Sequence, residues 1–188
     1  HRNLVIFLIA FMFYNDGIHT VIMMATIYGK DELGLKNETL MGTLLLVQFI
    51  GIGGALLFSK ISKTFGTKRI LIIVLILWLG ILCYAYIITS ALDFWMLGIA
   101  VGFVLGGSQA ISRSFYGAMI PVDESAEFFG FYSVFAKFSA ICGPFVFGII
   151  RQITGTSRLA ILSLVGFFII GIILLCFVKE NTEPLQLG

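Results

Sequence analysis

Hydrophobic residues fall into six long runs along the chain, separated by short polar segments. Each run is near the length of about 20 residues that an α-helix needs to cross about 30 Å of hydrocarbon. Strands of a membrane barrel would alternate polar and apolar positions, whereas these runs are continuous. The pattern therefore predicts an all-α membrane protein with six transmembrane helices. The predicted spans are 3–29, 38–58, 70–89, 94–117, 128–150 and 159–178.

Composition narrows the class of protein further. Of 188 residues, 59% are hydrophobic and only 12% are charged, whereas a soluble domain is about 25% charged. A soluble enzyme is therefore excluded, and membrane lipid is the expected surrounding. The net charge of +2 comes without a long basic run, so nucleic acid is not an expected partner. The three cysteines lack the spacing of a metal site, and we expect neither a metal nor a cofactor.

Basic residues predict how the helices are oriented in the membrane. The loop SKISKTFGTKR, between the second and third spans, carries the densest group of Lys and Arg, and basic loops favour the cytoplasmic side. We expect this loop and both termini in the cytoplasm. The chain starts with His and enters an apolar run almost at once, so we expect it to be a fragment of a longer protein.

Polar residues inside the spans are the candidate functional residues. A charged side chain near mid-membrane costs about 2.5 to 3.5 kcal/mol on insertion scales, so it needs a partner, a cavity or a pathway. The third and sixth spans carry no ionisable groups other than phenols and thiols, and we expect both to be peripheral. The candidates for a substrate or proton pathway are Asn15, Asp16, His19, Gln48, Gln109 and Lys137.

Asp16 and Lys137 lie at similar predicted depths on interior faces of the first and fifth spans. Two interpretations stay open. In one the two residues form a fixed structural pair. In the other Asp16, with His19 as a relay, exchanges a proton while Lys137 alternates between Asp16 and an anionic group of a solute.

Two sequence features predict irregular backbone near these residues. The Asn-Asp-Gly sequence of the first span is typical of turns, and Gly17 predicts local loosening of that helix. In the fifth span, Gly143 and Pro144 predict a kink.

The fourth span carries glycines four residues apart. This spacing favours a helix-packing surface, because small residues let two backbones approach closely. The ladder and the polar groups at its end are Gly98, Gly102, Gly106, Gln109 and Arg113. Arg113 is expected near the inner headgroups, in a structural or gating role, within reach of Glu124 or Glu127.

Three stretches resemble the major facilitator superfamily: FLIAFMFYNDGIHTVIMMATIYGKDELGL, LLLVQFIGIGGALLF and GGSQAISRSFYGAMIPVDESAEFFGFYSVFAKFSAICGPFVFGIIRQITGTSRLAI. Within it they are similar to the autophagy-related vacuolar amino-acid effluxer family and its bacterial relatives. The resemblance covers nearly the whole chain and implies the second half of a twelve-helix transporter, built from two inverted three-helix repeats. It also implies that the N-terminal half is missing here.

A loop signature of this group, Gly-x-x-x-Asp-Arg-x-Gly-x-Lys-Arg, aligns with SKISKTFGTKR so that Gly66, Lys68 and Arg69 match. The resemblance makes these three residues gating candidates, together with Arg113 and Glu127. The acidic position of the signature is occupied by a lysine, which argues against a charge-relay role for this loop.

The resemblance implies an alternating-access carrier whose site lies between two halves, lined by the first, second, fourth and fifth spans of each. We expect secondary transport of a small polar solute such as a neutral amino acid, as efflux coupled to protons, in a bacterial plasma membrane or a eukaryotic vacuolar membrane. The alternative is a six-helix scaffold or sensor. An enzyme is not expected, since the spans contain no HExxH, no GxSxG and no paired carboxylates.

Overall fold

The computed structural model describes residues 2–121 and 125–179, and all regular structure in these ranges is α-helical. Long apolar runs form helices because a backbone in hydrocarbon must satisfy its own hydrogen bonds. The helical segments are α1 (Arg2–Leu33), α2 (Asn37–Phe65), α3 (Thr67–Ile87), α4 (Ala91–Gly117), α5 (Ser125–Phe138), α6 (Cys142–Thr154), α7 (Ser157–Ser163) and α8 (Val165–Phe177).

These segments make six helices that are long and apolar enough to cross a membrane, which confirms the predicted fold class. The fifth consists of α5 and α6 and is interrupted at residues 139–141. The interruption lies where the kink is predicted, because Pro144 has no N–H with which to continue the helix. By contrast, α1 is unbroken through Gly17, so the predicted loosening of the first span is wrong. Gly17 instead lets the ring of Phe168 pack against α1.

Short connections make successive helices antiparallel and give the bundle two ends. We call them the Gly34 end, with residues 33–37, 88–90 and 155–156, and the Gly66 end, where α1 starts, α4 and α8 finish, and α2 meets α3. Gly66 is the single residue between α2 and α3, and its φ of 91° is open to glycine without strain.

Glycines bring α2 and α4 into backbone contact. A Cβ at Gly102 would overlap the main chain of Val47, and one at Gly106 would overlap the main chain of Gly51. The glycine ladder is therefore a packing surface, as predicted. This close packing holds α4 against α2.

Candidate solute cavity

A polar cavity of about 600 Å³ lies between α1, α4 and α5. Its residues on α1 start about 14 Å along the helix from Arg2, and those on α4 lie about 6 to 14 Å from Gly117. The cavity therefore extends from the middle of the bundle towards the Gly66 end. The candidates that line it are Asn15, His19, Gln109, Arg113 and Lys137.

The other helices that the structure describes contribute no residue to this cavity wall. That agrees with the prediction that the third and sixth spans are peripheral. The second span, which the resemblance assigns to the solute pathway, does not contribute to this cavity. Gln48 is exposed on α2, away from the cavity wall.

Asn15 connects α1 to the point where the fifth span is broken. Its side-chain Nδ2 donates to Ser139 Oγ at 2.5 Å, and Ser139 Oγ in turn donates to the carbonyl of Ala136 at 2.8 Å. Asn15 is buried, while His19, one turn further along α1, is half-buried and faces the same cavity. Ser139 was not a predicted site residue, although its place just before Gly143 and Pro144 was a usable signal.

Asp16 points to a different neighbour from Asn15. Its two carboxylate oxygens accept from the N–H of Gly143 at 2.9 and 2.8 Å, and the side chain is almost fully buried. Gly143 lies in the first turn of α6, where N–H groups lack partners within the helix and attract negative charge. The break in the fifth span thus creates a helix start in the middle of the bundle, and Asp16 occupies it.

The interpretation of Asp16 and Lys137 as a fixed structural pair is therefore wrong. Lys137 is exposed and lines the cavity, and no ion pair joins it to any carboxylate among residues 2–121 and 125–179. The physical reason is angular: neighbouring residues on a helix point about 100° apart, so Asn15 faces the cavity while Asp16 faces α6.

On α4, two turns of polar residues face the cavity. Ser112 Oγ is 2.7 Å from the hydroxyl of Tyr14, which fixes α4 against α1. Gln109 and Arg113 are exposed to the cavity. Tyr14 was not singled out in the sequence, because a tyrosine in an apolar span is ordinary core material until its partner is known.

The guanidinium of Arg113 lies over the ring of Phe129, 6.0 Å from its centroid. The expected partner Glu127 is exposed on α5 and forms no ion pair with Arg113, so that pairing is wrong. Glu124, the other expected partner, lies outside the described residues. Aromatic packing holds this end of α5 instead, with the rings of Tyr132 and Phe11 stacked 4.3 Å apart.

The predicted gating residues of the loop lie at the Gly66 end, apart from the cavity. Gly66 N–H donates to the carbonyl of Ser62 at 3.0 Å. Lys68 Nζ donates to the carbonyls of Cys176 and Val178 at 3.0 and 2.6 Å, at the end of α8. Arg69 is exposed. The Lys68 contacts connect the third and sixth spans at one end of the bundle.

Sequence reasoning missed a polar cluster at the Gly34 end. Glu32 Oε1 accepts from Thr156 Oγ1 at 2.8 Å and from the N–H of Ser157 at 2.5 Å, and Glu32 Oε2 is 3.3 Å from Arg158 Nε. Arg158 also donates to the carbonyls of Tyr86 and Ile88, each at 2.8 Å. Charged residues in loops could not have predicted these contacts, because a sequence does not show which distant residues meet in the fold.

The described residues form six helices that are long and apolar enough to cross a membrane, which defines the class as an integral membrane protein and is consistent with one half of the major facilitator fold. The chain belongs to the family described as vacuole effluxer Atg22 like, which it matches over residues 1–184.

The relatives that it matches include bacterial and fungal proteins. It is 38% identical over 183 residues to the uncharacterized MFS-type transporter YxiO of Bacillus subtilis, covering 97% of this chain and 42% of that protein. It is 30% identical over 172 residues to autophagy-related protein 22-1 of Aspergillus niger, covering 84% and 28%. Identity to autophagy-related protein 22 of Candida glabrata is 28% over 184 residues, covering 92% and 33%. The chain thus spans less than half the length of these curated relatives.

Proposed function

We propose that the protein containing this chain moves a small polar solute across a membrane by alternating access. The cavity of about 600 Å³ between α1, α4 and α5 carries this proposal, because polar and cationic side chains lining an open space at membrane depth are costly unless they serve a pathway. The solute site would lie between this six-helix half and a second half. Neutral amino acids are the proposed solutes, and efflux the proposed direction.

The scaffold or sensor alternative needs the intramembrane polar residues to be satisfied by one another. Asp16 has such an internal partner in the Gly143 N–H, but Gln109, Arg113 and Lys137 are exposed to the cavity. A scaffold gains nothing from such exposure, so transport is favoured.

Solute exchange in proteoliposomes of the full-length protein tests this function, with a labelled panel of neutral amino acids. We expect saturable exchange of at least one of them, reduced tenfold or more by Gln109→Leu. The matched control is Gln152→Leu, at an exposed position of α6 outside the cavity wall. Absence of exchange across the panel, or equal loss in both variants, would refute the proposal.

Proton coupling is part of the same proposal, with Asp16 as the acid and His19 as the relay from the cavity. The N–H of Gly143 stabilises the charged carboxylate. A movement of α5 that rearranges residues 139–141 and turns this N–H away from Asp16 would remove that stabilisation and favour proton uptake. Asp16→Asn should keep solute exchange but lose accumulation driven by a proton gradient. Full accumulation in that variant would show that the acid lies elsewhere.

The proposed orientation places the Gly66 end and both termini in the cytoplasm. Cysteines introduced at Lys63 and at Asn37, both exposed and at opposite ends, report it directly once the native thiols are replaced. An impermeant reagent added outside should label only the cysteine at position 37. The reverse pattern would overturn the orientation.

A further inference from the structure

The charges that face the cavity are all of one sign. Arg113 on α4 and Lys137 on α5 line it, and the other titratable groups in its wall are His19, Tyr14 and Tyr132. No Asp or Glu is among the described residues of this wall. Asp16 follows the cavity residue Asn15 in the sequence, but its carboxylate is turned to Gly143 and is almost fully buried.

Neither cation has an anionic partner among the described residues. The ion pairs of residues 2–121 and 125–179 are Arg151 with Asp31 and Arg158 with Glu32, both at the Gly34 end. Lys137 lies about 18 Å along α5 from Ser125, a depth at which a cation without a counter-charge is unfavourable, and Arg113 lies nearer the Gly66 end. Because both cations line one cavity and repel each other, an anionic group bound there would stabilise the site.

The surroundings of Arg113 suit a planar carboxylate. The guanidinium is positioned by the ring of Phe129, 6.0 Å away, and a planar guanidinium binds a carboxylate through two parallel hydrogen bonds. Beside it, the stacked rings of Phe11 and Tyr132 provide an apolar wall. The cavity thus offers cationic contacts for one end of a small molecule and an apolar surface for the other.

We propose that Arg113 and Lys137 bind the carboxylate of the solute, so that this cavity selects zwitterionic or anionic molecules over purely cationic ones. This inference rests on the proposed transport function for its context, but the positive potential of the cavity can be measured without transport.

The first arm of the test measures that potential in the full-length protein, with the native thiols replaced and Ser133→Cys introduced. Ser133 is exposed and lines the cavity. We expect a negatively charged methanethiosulfonate to react at least tenfold faster, relative to a positively charged one, than it does with a free thiol in solution. The double change Arg113→Gln, Lys137→Gln should abolish this preference.

Two controls keep that arm interpretable. Lys63→Gln removes a charge of the same sign from an exposed position at the end of α2 and should leave the preference unchanged. Arg113→Lys with Lys137→Arg changes both side chains but keeps both charges, and it should retain the preference for the negatively charged reagent. A loss seen only in the double glutamine variant is then due to the lost charges and not to the altered side chains as such. A ratio equal to that of the free thiol in the otherwise wild-type protein overturns the proposal.

The second arm uses three probes of nearly the same shape: L-valine, valinamide and 3-methyl-2-oxobutanoate. Valine and the oxo acid, which carry a carboxylate, should slow labelling at position 133, whereas valinamide, a cation, should not. Equal protection by valinamide, or protection by none of the three, overturns carboxylate recognition. If protection is seen while the exchange assay detects no transport, carboxylate binding stands and the transport function fails.

Discussion

The two ends of the bundle are held together by different kinds of contact. At the Gly34 end, Glu32 and Arg158 join α1, α3 and the connection between α6 and α7 through charged hydrogen bonds. At the Gly66 end, α5 has no buried residue and is held by ring contacts and by the hydroxyl of Tyr116, which donates to the carbonyl of Phe128 at 2.7 Å. Charged contacts thus fix one half of the fifth span, and weaker ones hold the other.

From this difference we expect separate tasks for the two parts of the fifth span. Through Gly143, α6 is bonded to Asp16 of α1 and stays with the core of the bundle. The cavity side of α5 carries Lys137, and the break in the helix at residues 139–141 would let α5 move relative to α6. We infer that access to the cavity changes by movement of α5, with the Gly34 end as the fixed part.

The largest effect is expected from Gly143→Ala, which attacks the junction between the two parts. An added Cβ would overlap Thr20 Oγ1 and the Asp16 carboxylate. We expect a loss of about 3 kcal/mol from overpacking together with a disturbed buried hydrogen bond, seen as a lower Tm of the full-length protein in detergent. Gly148→Ala is the control, because a Cβ there meets no atom within 4 Å. Equal Tm values would contradict the close contact.

A smaller effect is expected at the Gly34 end from Glu32→Ala. This change removes an acceptor of several hydrogen bonds in a partly buried position, and charged hydrogen bonds contribute about 1.5 to 3 kcal/mol. We expect a loss of about 2 kcal/mol, measured by the same unfolding assay.

Asp31→Asn is the matched comparison, since Asp31 pairs with Arg151 in a more exposed position and exposed pairs contribute about 0 to 1 kcal/mol. If both variants lost the same stability, the Gly34 end would not be fixed by Glu32 in particular.

The smallest effect is expected from Tyr116→Phe, which removes the hydroxyl bond to Phe128 and keeps the ring. We expect about 1 kcal/mol of lost stability and faster amide hydrogen exchange in residues 125–138, with residues 142–154 unchanged. Tyr86→Phe, at an exposed position near the Gly34 end, should change neither segment. Faster exchange in both segments would show that the two parts of the fifth span open together.

Hydropathy alone was sufficient to predict the six helices. A helix that crosses hydrocarbon must be long and apolar, and both properties can be read from the sequence. The kink at Gly143 and Pro144 followed from backbone chemistry, and the placement of Lys137 on an interior face followed from helical periodicity. Each of these predictions depends on residues of a single helix.

Hydropathy and helical periodicity could not predict the contacts between helices. Depth in the membrane placed Asp16 and Lys137 at one level, but it carried no information on which neighbour each side chain faces. A main-chain partner such as the Gly143 N–H leaves no mark in a sequence, since every residue except proline has an N–H. The Glu32 and Arg158 contacts span 126 positions and were invisible for a related reason.

The partner of Asp16 has a consequence for genetics. A charged side chain that pairs with another side chain can be rescued, when it is mutated, by a second mutation that removes or reverses the partner's charge. The N–H of Gly143 belongs to the main chain. Every residue except proline has this group, so no substitution at position 143 can supply a donor of different charge. A selection for suppressors of Asp16 variants should therefore yield no charge-compensating change at residue 143 or at Lys137. It should return changes that alter how α6 begins, or how closely it approaches α1.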